Sequence, residues 1–313
     1  MKNKPLTVLW FGGGQDSTAL LYLYAYSQSF RDRYVGDSHF VVVMSDTGNE
    51  FPETYSHIRE IEKFCKIHQI NFFFLRPEMG YHGRTWQSLQ GQMERNDNIF
   101  SVALPKSCTD NLKIKVCYAF LEDYLKQIYG FDGKSKKGKL KRRQAYYQYF
   151  ERFGKLRSLI GFAKGEESRC AEPAQLELFP DDIKDDRPKW MKRTVQHIYP
   201  LIEMKLDRAG CQDLIADYGH RVPIPSNCMM CPFQNEAEVV YLHRFHPKMW
   251  AYWVEREAAK LLKNVAKTRN LGVKGEKMLL EFLENAKLKY DHWGDEDLIA
   301  YRNSHGHCVK SKY

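Results

Sequence analysis

Apolar positions in the first third of the chain fall into short continuous runs separated by stretches of helical spacing. Leu6-Thr7-Val8-Leu9-Trp10 is β-branched and aromatic and predicts a buried strand. Ala19-Leu20-Leu21-Tyr22-Leu23 opens a helix expected to run to about Ser27. His39 to Met44 is apolar throughout, as in a parallel strand covered on both faces. Ile58, Ile61, Phe64 and Cys65 then recur at helical spacing, and Asn71 to Leu75 makes a third strand. This β-α-β-α-β order implies a parallel sheet with right-handed crossovers. Pro77 to Lys106 is irregular and polar, a substrate-facing loop with a short helix. A helix from Cys108 to about Tyr129, a strand from Leu156 to Gly161 and an exposed Pro- and Asp-rich loop over 171–189 follow. Val195 to Ile202 reads as the last strand, Asp207 starts a helix ending near Gly219, and from Glu236 the pattern is helical with a polar break at Thr268 to Lys274. The expected fold is α/β: a doubly wound, mostly parallel sheet with helices on both faces and a helical C-terminal extension. The expected division is 1–235, with an insertion at about 130–150, and 236–313.

Between the first strand and helix lies Phe11-Gly12-Gly13-Gly14-Gln15-Asp16-Ser17-Thr18. Three glycines let the backbone approach a ligand that any Cβ would exclude. Asp16, Ser17 and Thr18 can cap the helix start, whose unpaired N–H groups make an anion site. The segment is a phosphate cradle or a turn without a ligand. It is neither a P-loop, since no Gly-Lys-Ser/Thr follows, nor G-x-G-x-x-G. Ligands of such sheets collect at the carboxyl ends of strands, where Asp46 also lies.

The chain of 313 residues can bury a full core. No apolar run is long enough to span a bilayer and no signal peptide is evident, so a cytoplasmic location and no membrane partner are expected. Eight cysteines without a secretory signal point to reduced thiols or metal ligands. The net charge of +9 is partly gathered in Lys134 to Arg143, followed by Tyr146, Tyr147 and Tyr149. This block suits a polyanion, through phosphate contacts and stacking, an acidic protein, or a merely solvated insertion.

The glycine segment resembles the PP-loop of the ATP-pyrophosphatases, Ser-Gly-Gly-x-Asp-Ser. Gly13, Gly14, Asp16 and Ser17 match, Gly12 replaces the serine, and Gln15 stands where a lysine is frequent. Asp46-Thr47-Gly48 through Pro52-Glu53-Thr54 is similar to the second motif of the phosphoadenosine phosphosulfate reductase branch, with Asp46 placed to hold Mg²⁺ or a ribose and Glu53 serving to start a helix. Gly161 to Arg169 resembles the third motif. Arg169 can grip a phosphate or sulfate, or pair with Glu166 or Glu167. Lys113 and Lys115 are candidates to replace the charge missing at Gln15. The resemblance spans about residues 6–250 and implies ATP and Mg²⁺ held by Gly12, Gly13, Gly14, Gln15, Asp16, Ser17, Thr18, Asp46 and Gly161, with Asp16, Ser17, Lys113 and Arg169 catalytic.

Cys228-x-x-Cys231 has metal-ligand spacing. The iron–sulfur members of the reductase family bring such a pair to a cysteine at a helix start, which implies Cys108, Cys228 and Cys231 as ligands with Cys211 as the fourth. Four thiolates suit a [4Fe–4S] cluster or Zn²⁺. Cys65, Cys117 and Cys170 read as buried small hydrophobes. Cys308, after His305 and His307, is a sulfur carrier or part of a frayed tail. Within the family, Cys-Thr-x-x-x-Lys-Ile and Cys-x-x-Cys-Pro-Phe look most like the ATP-pyrophosphatase component of DNA phosphorothioation systems. That implies DNA, a cysteine desulfurase as sulfur donor and other phosphorothioation subunits as partners. A sulfonucleotide reductase, a tRNA-thiolating enzyme and a non-catalytic nucleotide-binding subunit are the alternatives. Gln175-Leu176-Glu177-Leu178-Phe179 resembles the peptide by which bacterial proteins bind the DNA sliding clamp, or packs on its own domain.

Overall fold

The computed structural model describes residues 2–135, 137–170, 185, 187–267 and 270–305. The Gln175–Phe179 peptide and Cys308 lie outside them. The sheet has five strands, β1 (Leu6–Trp10), β2 (His39–Ser45), β3 (Asn71–Leu75), β4 (Leu156–Ile160) and β5 (Val195–Ile198), in the order β3-β2-β1-β4-β5. Every pairing is parallel, with Leu9 opposite Val42 on one side and Leu159 on the other. The longer helices are α1 (Gln15–Tyr26), α2 (Pro52–Ile67), α3 (Leu89–Asn96), α4 (Lys115–Tyr129), α5 (Gln144–Phe153), α6 (Arg208–Asp217), α7 (Glu236–Phe245), α8 (Pro247–Lys263), α9 (Leu279–Tyr290) and α10 (Asp295–Ser304).

Strand side chains alternate between faces, so the apolar run of β2 serves two cores. Val42 and Met44 pack with Leu20 of α1, Ile58 and Ile61 of α2 and Ile215 of α6. Val41 and Val43 pack on the other face with Val116, Leu121 and Leu125 of α4 and Tyr146 and Tyr149 of α5. This is the doubly wound arrangement expected, with all strands parallel. A third core joins Trp250, Trp253, Leu279, Leu283 and Leu298 of the C-terminal helices to Phe51, Leu89, Met93, Leu112 and Met230. The helical extension therefore packs on the loops that follow the strands, where the site lies.

Two expectations change. The last strand stops at Ile198 rather than Ile202, because Pro200 starts a short helix, Pro200–Glu203, where its fixed φ and missing N–H cost nothing. Tyr146 and Tyr149 are not available for stacking on bases. Both are fully buried, Tyr146 donating to Tyr118 O at 2.8 Å and Tyr149 accepting from Leu6 N at 2.6 Å. Arg143 is also engaged, with Tyr118 O at 2.9 Å and with the Trp190 ring.

Candidate active site

The chain builds the sheet to one side of β1 and then crosses to the other to add β4. The strand order reverses between β1 and β4, and in open parallel sheets a crevice opens at that point. The glycine turn leaves β1 there, and Gly161 ends β4. Gly13 has φ of +74°, the left-handed region that glycine adopts without strain. A Cβ on Gly161 would lie 3.0 Å from Ser17 N and 3.1 Å from the Asp16 carbonyl carbon. Its role is thus steric, letting the end of β4 touch the start of α1.

The expected caps do not form. Gly14 precedes α1 and no side chain caps its first turn. Ser17 Oγ instead accepts from Gly12 N at 3.1 Å and donates to Gly14 O at 3.2 Å. Thr18 Oγ1 donates to Gly14 O at 2.8 Å and meets His57 Nε2 at 2.9 Å. These bonds hold the turn shut from behind and leave the first N–H groups of α1 without a side-chain partner, a positive helix end beside the crevice.

The crevice is a cavity of about 180 Å³. Gly12, Gly14, Gln15, Asp16, Ser17, Lys113, Gly161 and Arg169 line it, as the sequence leads one to expect. Gly13, Thr18 and Asp46 do not. Asp46 Oδ1 accepts from Gly48 N at 2.8 Å and from the Tyr55 hydroxyl at 2.7 Å, so this carboxylate shapes the loop after β2. Gln15 reaches the cavity wall, but its amide donates to Pro223 O and Asn303 O, each at 2.9 Å, and accepts from Gln212 at 3.0 Å. It ties α1 to α10 instead of facing a phosphate. Lys115 points to solvent beside Asp110 and Asn111.

Charges in the cavity are mixed. Arg169 Nη1 lies 2.8 Å from Glu166 Oε1 and its guanidinium stacks 4.0 Å from the centre of the Phe162 ring. The ion pair and the place in the cavity coexist. Arg208 joins at 3.8 Å from the same Glu166 oxygen. Asp16 faces this group; burial, opposed by Arg208, pushes its pKa up to about 6, and Oδ1 has no hydrogen-bond partner. Sequence reading missed Arg208. It is the first residue of α6, a cation at the end of a helix where the dipole disfavours one, and that misplacement was the available signal.

A second, smaller pocket of about 40 Å³ adjoins the first. Cys108, Cys228 and Cys231 all line it, with Phe100, Leu104 and Phe233. Thr109, Lys113 and Asn227 line both cavities and form the wall between them. A π-helical turn, Thr109–Ile114, leads into α4 and carries Cys108 to one side of this wall and Lys113 into it. Buried Glu50, which sequence reading passed over, lies behind the wall. Its Oε1 accepts from Thr47 Oγ1 at 3.0 Å, sits 3.6 Å from Lys113 Nζ and 3.8 Å from Cys228 Sγ, and its Oε2 is buried without a partner.

Cys211 is not in this pocket. It is fully buried on α6 in the core beneath α1, among Leu20, Leu21 and Ile215, because its helix turns that face to the sheet. Burial pushes the thiol well above its ordinary pKa. Cys65, Cys117 and Cys170 are buried, as expected. Among the described residues no group of three or more His, Cys, Asp or Glu side chains is arranged closely enough to hold a metal ion. Cys108, Cys228 and Cys231 share a pocket without meeting as a set of metal ligands in this arrangement, and with Cys211 elsewhere they do not make a closed four-cysteine site. The anion cavity fits a nucleotide: it combines an uncapped helix start, two arginines, a lysine and an unpartnered carboxylate oxygen.

These features define the class, an α/β protein with an anion-binding cleft at the switch point of a parallel sheet. The chain belongs to the phosphoadenosine phosphosulfate reductase domain family, whose model matches residues 7–209. Among solved structures it is similar to the U34-tRNA thiolase NcsA from Methanococcus maripaludis with its [4Fe–4S] cluster, at 15% identity and a TM-score of 0.36, over 90% of this chain and 81% of that one. No curated protein matches it. No helix among the described residues is long and apolar enough to cross a membrane.

Proposed function

We propose that the protein is an ATP pyrophosphatase that adenylates an oxygen of a nucleic acid so that sulfur can replace it. The observation that carries this reading is the shared wall, which sets a phosphate-sized crevice against a pocket of three thiols. ATP lies with its β- and γ-phosphates at the Gly12–Ser17 turn, where the first N–H groups of α1 neutralise charge as it develops on pyrophosphate. Arg169 and Arg208 hold the α-phosphate side, and Lys113 stands at the wall where the adenylated oxygen must meet sulfur. The acceptor oxygen attacks the α-phosphorus, the bond to the β-phosphate oxygen breaks, and pyrophosphate leaves. A sulfur nucleophile then forms its bond to the activated centre as AMP departs with the electron pair and the oxygen. Sulfur of persulfide oxidation level, supplied by a cysteine desulfurase, requires a second thiol to cleave the remaining S–S bond.

Asp16 would hold Mg²⁺, which supplies charge neutralisation on the polyphosphate. Cys108, Cys228 and Cys231 would hold a [4Fe–4S] cluster, or Zn²⁺, once drawn together from their present positions, and such a group would supply a binding site for sulfur. The motif resemblance favours a DNA phosphate as acceptor, with other phosphorothioation subunits as partners. Thiolation of tRNA would call on the same two steps at this site. Incubation of the purified protein with α-³²P-labelled ATP tests the reading: release of AMP and pyrophosphate, increased by the acceptor nucleic acid, is expected. Reduction of a sulfonucleotide without ATP cleavage, or nucleotide binding without turnover under any of these conditions, overturns it.

A further inference from the structure

The segment that carries the paired cysteines also closes the phosphate turn. Ser226, two residues before Cys228, lies over Gly14: a Cβ on that glycine would sit 3.1 Å from Ser226 N and 3.2 Å from Ser226 Oγ. A Cβ on Gly12 would lie 3.7 Å from the same hydroxyl. The glycines thus make room for this serine as much as for a ligand. Ser226 lines the anion cavity, and neither its N–H nor its hydroxyl has a hydrogen-bond partner among the described residues, while its carbonyl is engaged. Oriented to satisfy both neighbours, the Asn227 amide donates to Ser226 O at 2.8 Å and accepts from Arg302 Nη1 at 3.0 Å. Arg302 Nη2 donates to Pro225 O at 3.0 Å from its buried place on α10. The carbonyls of Pro225 and Ser226 are therefore engaged while the two donors of Ser226 stay open at the turn.

We propose that Ser226 is a further phosphate-binding residue, supplied by the cysteine segment, and that a nucleotide in the crevice orders Cys228 through it. The inference rests on the nucleotide reading above. An anion at the turn would receive the first N–H groups of α1 from one side and the Ser226 N–H and hydroxyl from the other. Asn227 transmits the restraint, since it lies in the wall between the cavities and precedes Cys228. The backbone bridge between Glu50 and Cys228, with Met229 N donating to Asn49 O at 2.8 Å, ties the far end of the segment to the loop after β2.

The test uses the full chain and α,β-methylene-ATP with Mg²⁺, a nucleotide that cannot release pyrophosphate. Affinity is measured by calorimetry, and hydrogen exchange is followed over residues 225–231. A hydrogen bond to a charged group accounts for about a tenfold to hundredfold change in affinity, so Ser226→Ala should weaken binding at least about tenfold. Ser226→Thr, which keeps the hydroxyl, should stay within about threefold of wild type. Nucleotide should slow exchange over 225–231 in wild type and not in Ser226→Ala, with both unchanged in melting temperature. Wild-type affinity or retained protection in Ser226→Ala overturns this inference alone. Failure of the wild-type protein to bind the nucleotide overturns the nucleotide reading and this inference with it.

Discussion

Lys113 Nζ lies 3.6 Å from Glu50 Oε1, and the two residues come from the end of a π-helical turn and the loop after β2. Lys113 belongs to the wall between the crevice and the thiol pocket, and Glu50 is 1% exposed. The pair therefore sets a cation between the crevice and the thiol pocket. Burial makes Glu50 dependent on that cation.

Lys113→Ala should abolish pyrophosphate release and also destabilise the fold, because it strands the Glu50 carboxylate. The cost should be about 1–3 kcal/mol, below that of a fully buried pair because the lysine is partly exposed. Adding Glu50→Gln should restore much of the melting temperature without restoring activity. Recovery of both in the double variant would place Lys113 outside the chemistry.

Asp16 has a pKa raised to about 6 by burial, from an ordinary 3.8. The folded state thus holds this proton more tightly than the unfolded chain. Its effect on stability is neutral below the unfolded value and grows unfavourable as pH rises from about 4 through 6. Asp16→Asn should therefore stabilise the ligand-free protein by about 2 kcal/mol at pH 7 after discounting for solvent screening, with little effect at pH 4. The same variant should lose turnover. Denaturant melts at the two pH values, with a pyrophosphate assay, check both halves.

Gly161→Ala should cost more than an ordinary loop substitution. The added Cβ meets backbone of Asp16 and Ser17 at 3.0–3.2 Å, and backbone cannot rotate away as a side chain can. Separation of β4 from α1 would widen the phosphate turn, so nucleotide affinity should fall at least about tenfold with a destabilisation of about 1–3 kcal/mol. Wild-type affinity in a folded Gly161→Ala protein would show that the turn tolerates the displacement.

Cysteine variants separate the thiols by location. Cys108→Ser, Cys228→Ser and Cys231→Ser should each lower iron and sulfide, or zinc, in anaerobically purified protein. Cys211→Ser should leave metal content unchanged and reduce stability by about 1–2 kcal/mol, as a hydroxyl placed in an apolar core has no partner. Metal loss in Cys211→Ser at unchanged stability would return that residue to the ligand set.

What the sequence reveals and hides has physical causes visible at particular residues. β1 and β3 have the bounds their apolar runs imply, and the glycine turn sits where three glycines at a strand-to-helix junction must sit. The gathering of Cys108, Cys228 and Cys231 followed from a family resemblance, since no local pattern links residues so far apart. Arg208, Ser226 and Glu50 reach the site from separate segments, and only the fold brings them together. Cys211 looked like a ligand by residue type, yet the face of α6 on which it lies decides its burial. The Val195–Ile202 run is largely apolar, and such a run does not distinguish a strand from a buried helix until Pro200 is read as a helix start.

The basic insertion keeps its charge at the surface and gives two of its three tyrosine rings, Tyr146 and Tyr149, to the core, while Tyr147 is half-buried. With Tyr146 and Tyr149 buried and Arg143 tied to Tyr118 and Trp190, the exposed cations among the described residues of the insertion are Lys134, Lys137, Lys139, Lys141 and Arg142. A surface of this kind recognises phosphates by charge and does not read bases by stacking on those two rings. Binding through it should follow counterion release, with log K falling linearly against log salt. Replacing Lys137, Lys139, Lys141 and Arg142 with alanine removes up to four cations that can each neutralise a phosphate. On duplex DNA the slope should then become shallower by up to about 3.6, near 0.9 for each phosphate no longer neutralised. Melting temperature should hold, since none of the four side chains is buried. Fluorescence anisotropy with labelled duplex DNA and labelled tRNA over a salt series measures the slopes and compares the acceptors. If the duplex is the acceptor, the quadruple variant should bind it more weakly and phosphorothioate less of it at physiological salt. An unchanged slope for both nucleic acids would make the insertion a solvated surface and move the polyanion-binding face elsewhere on the protein.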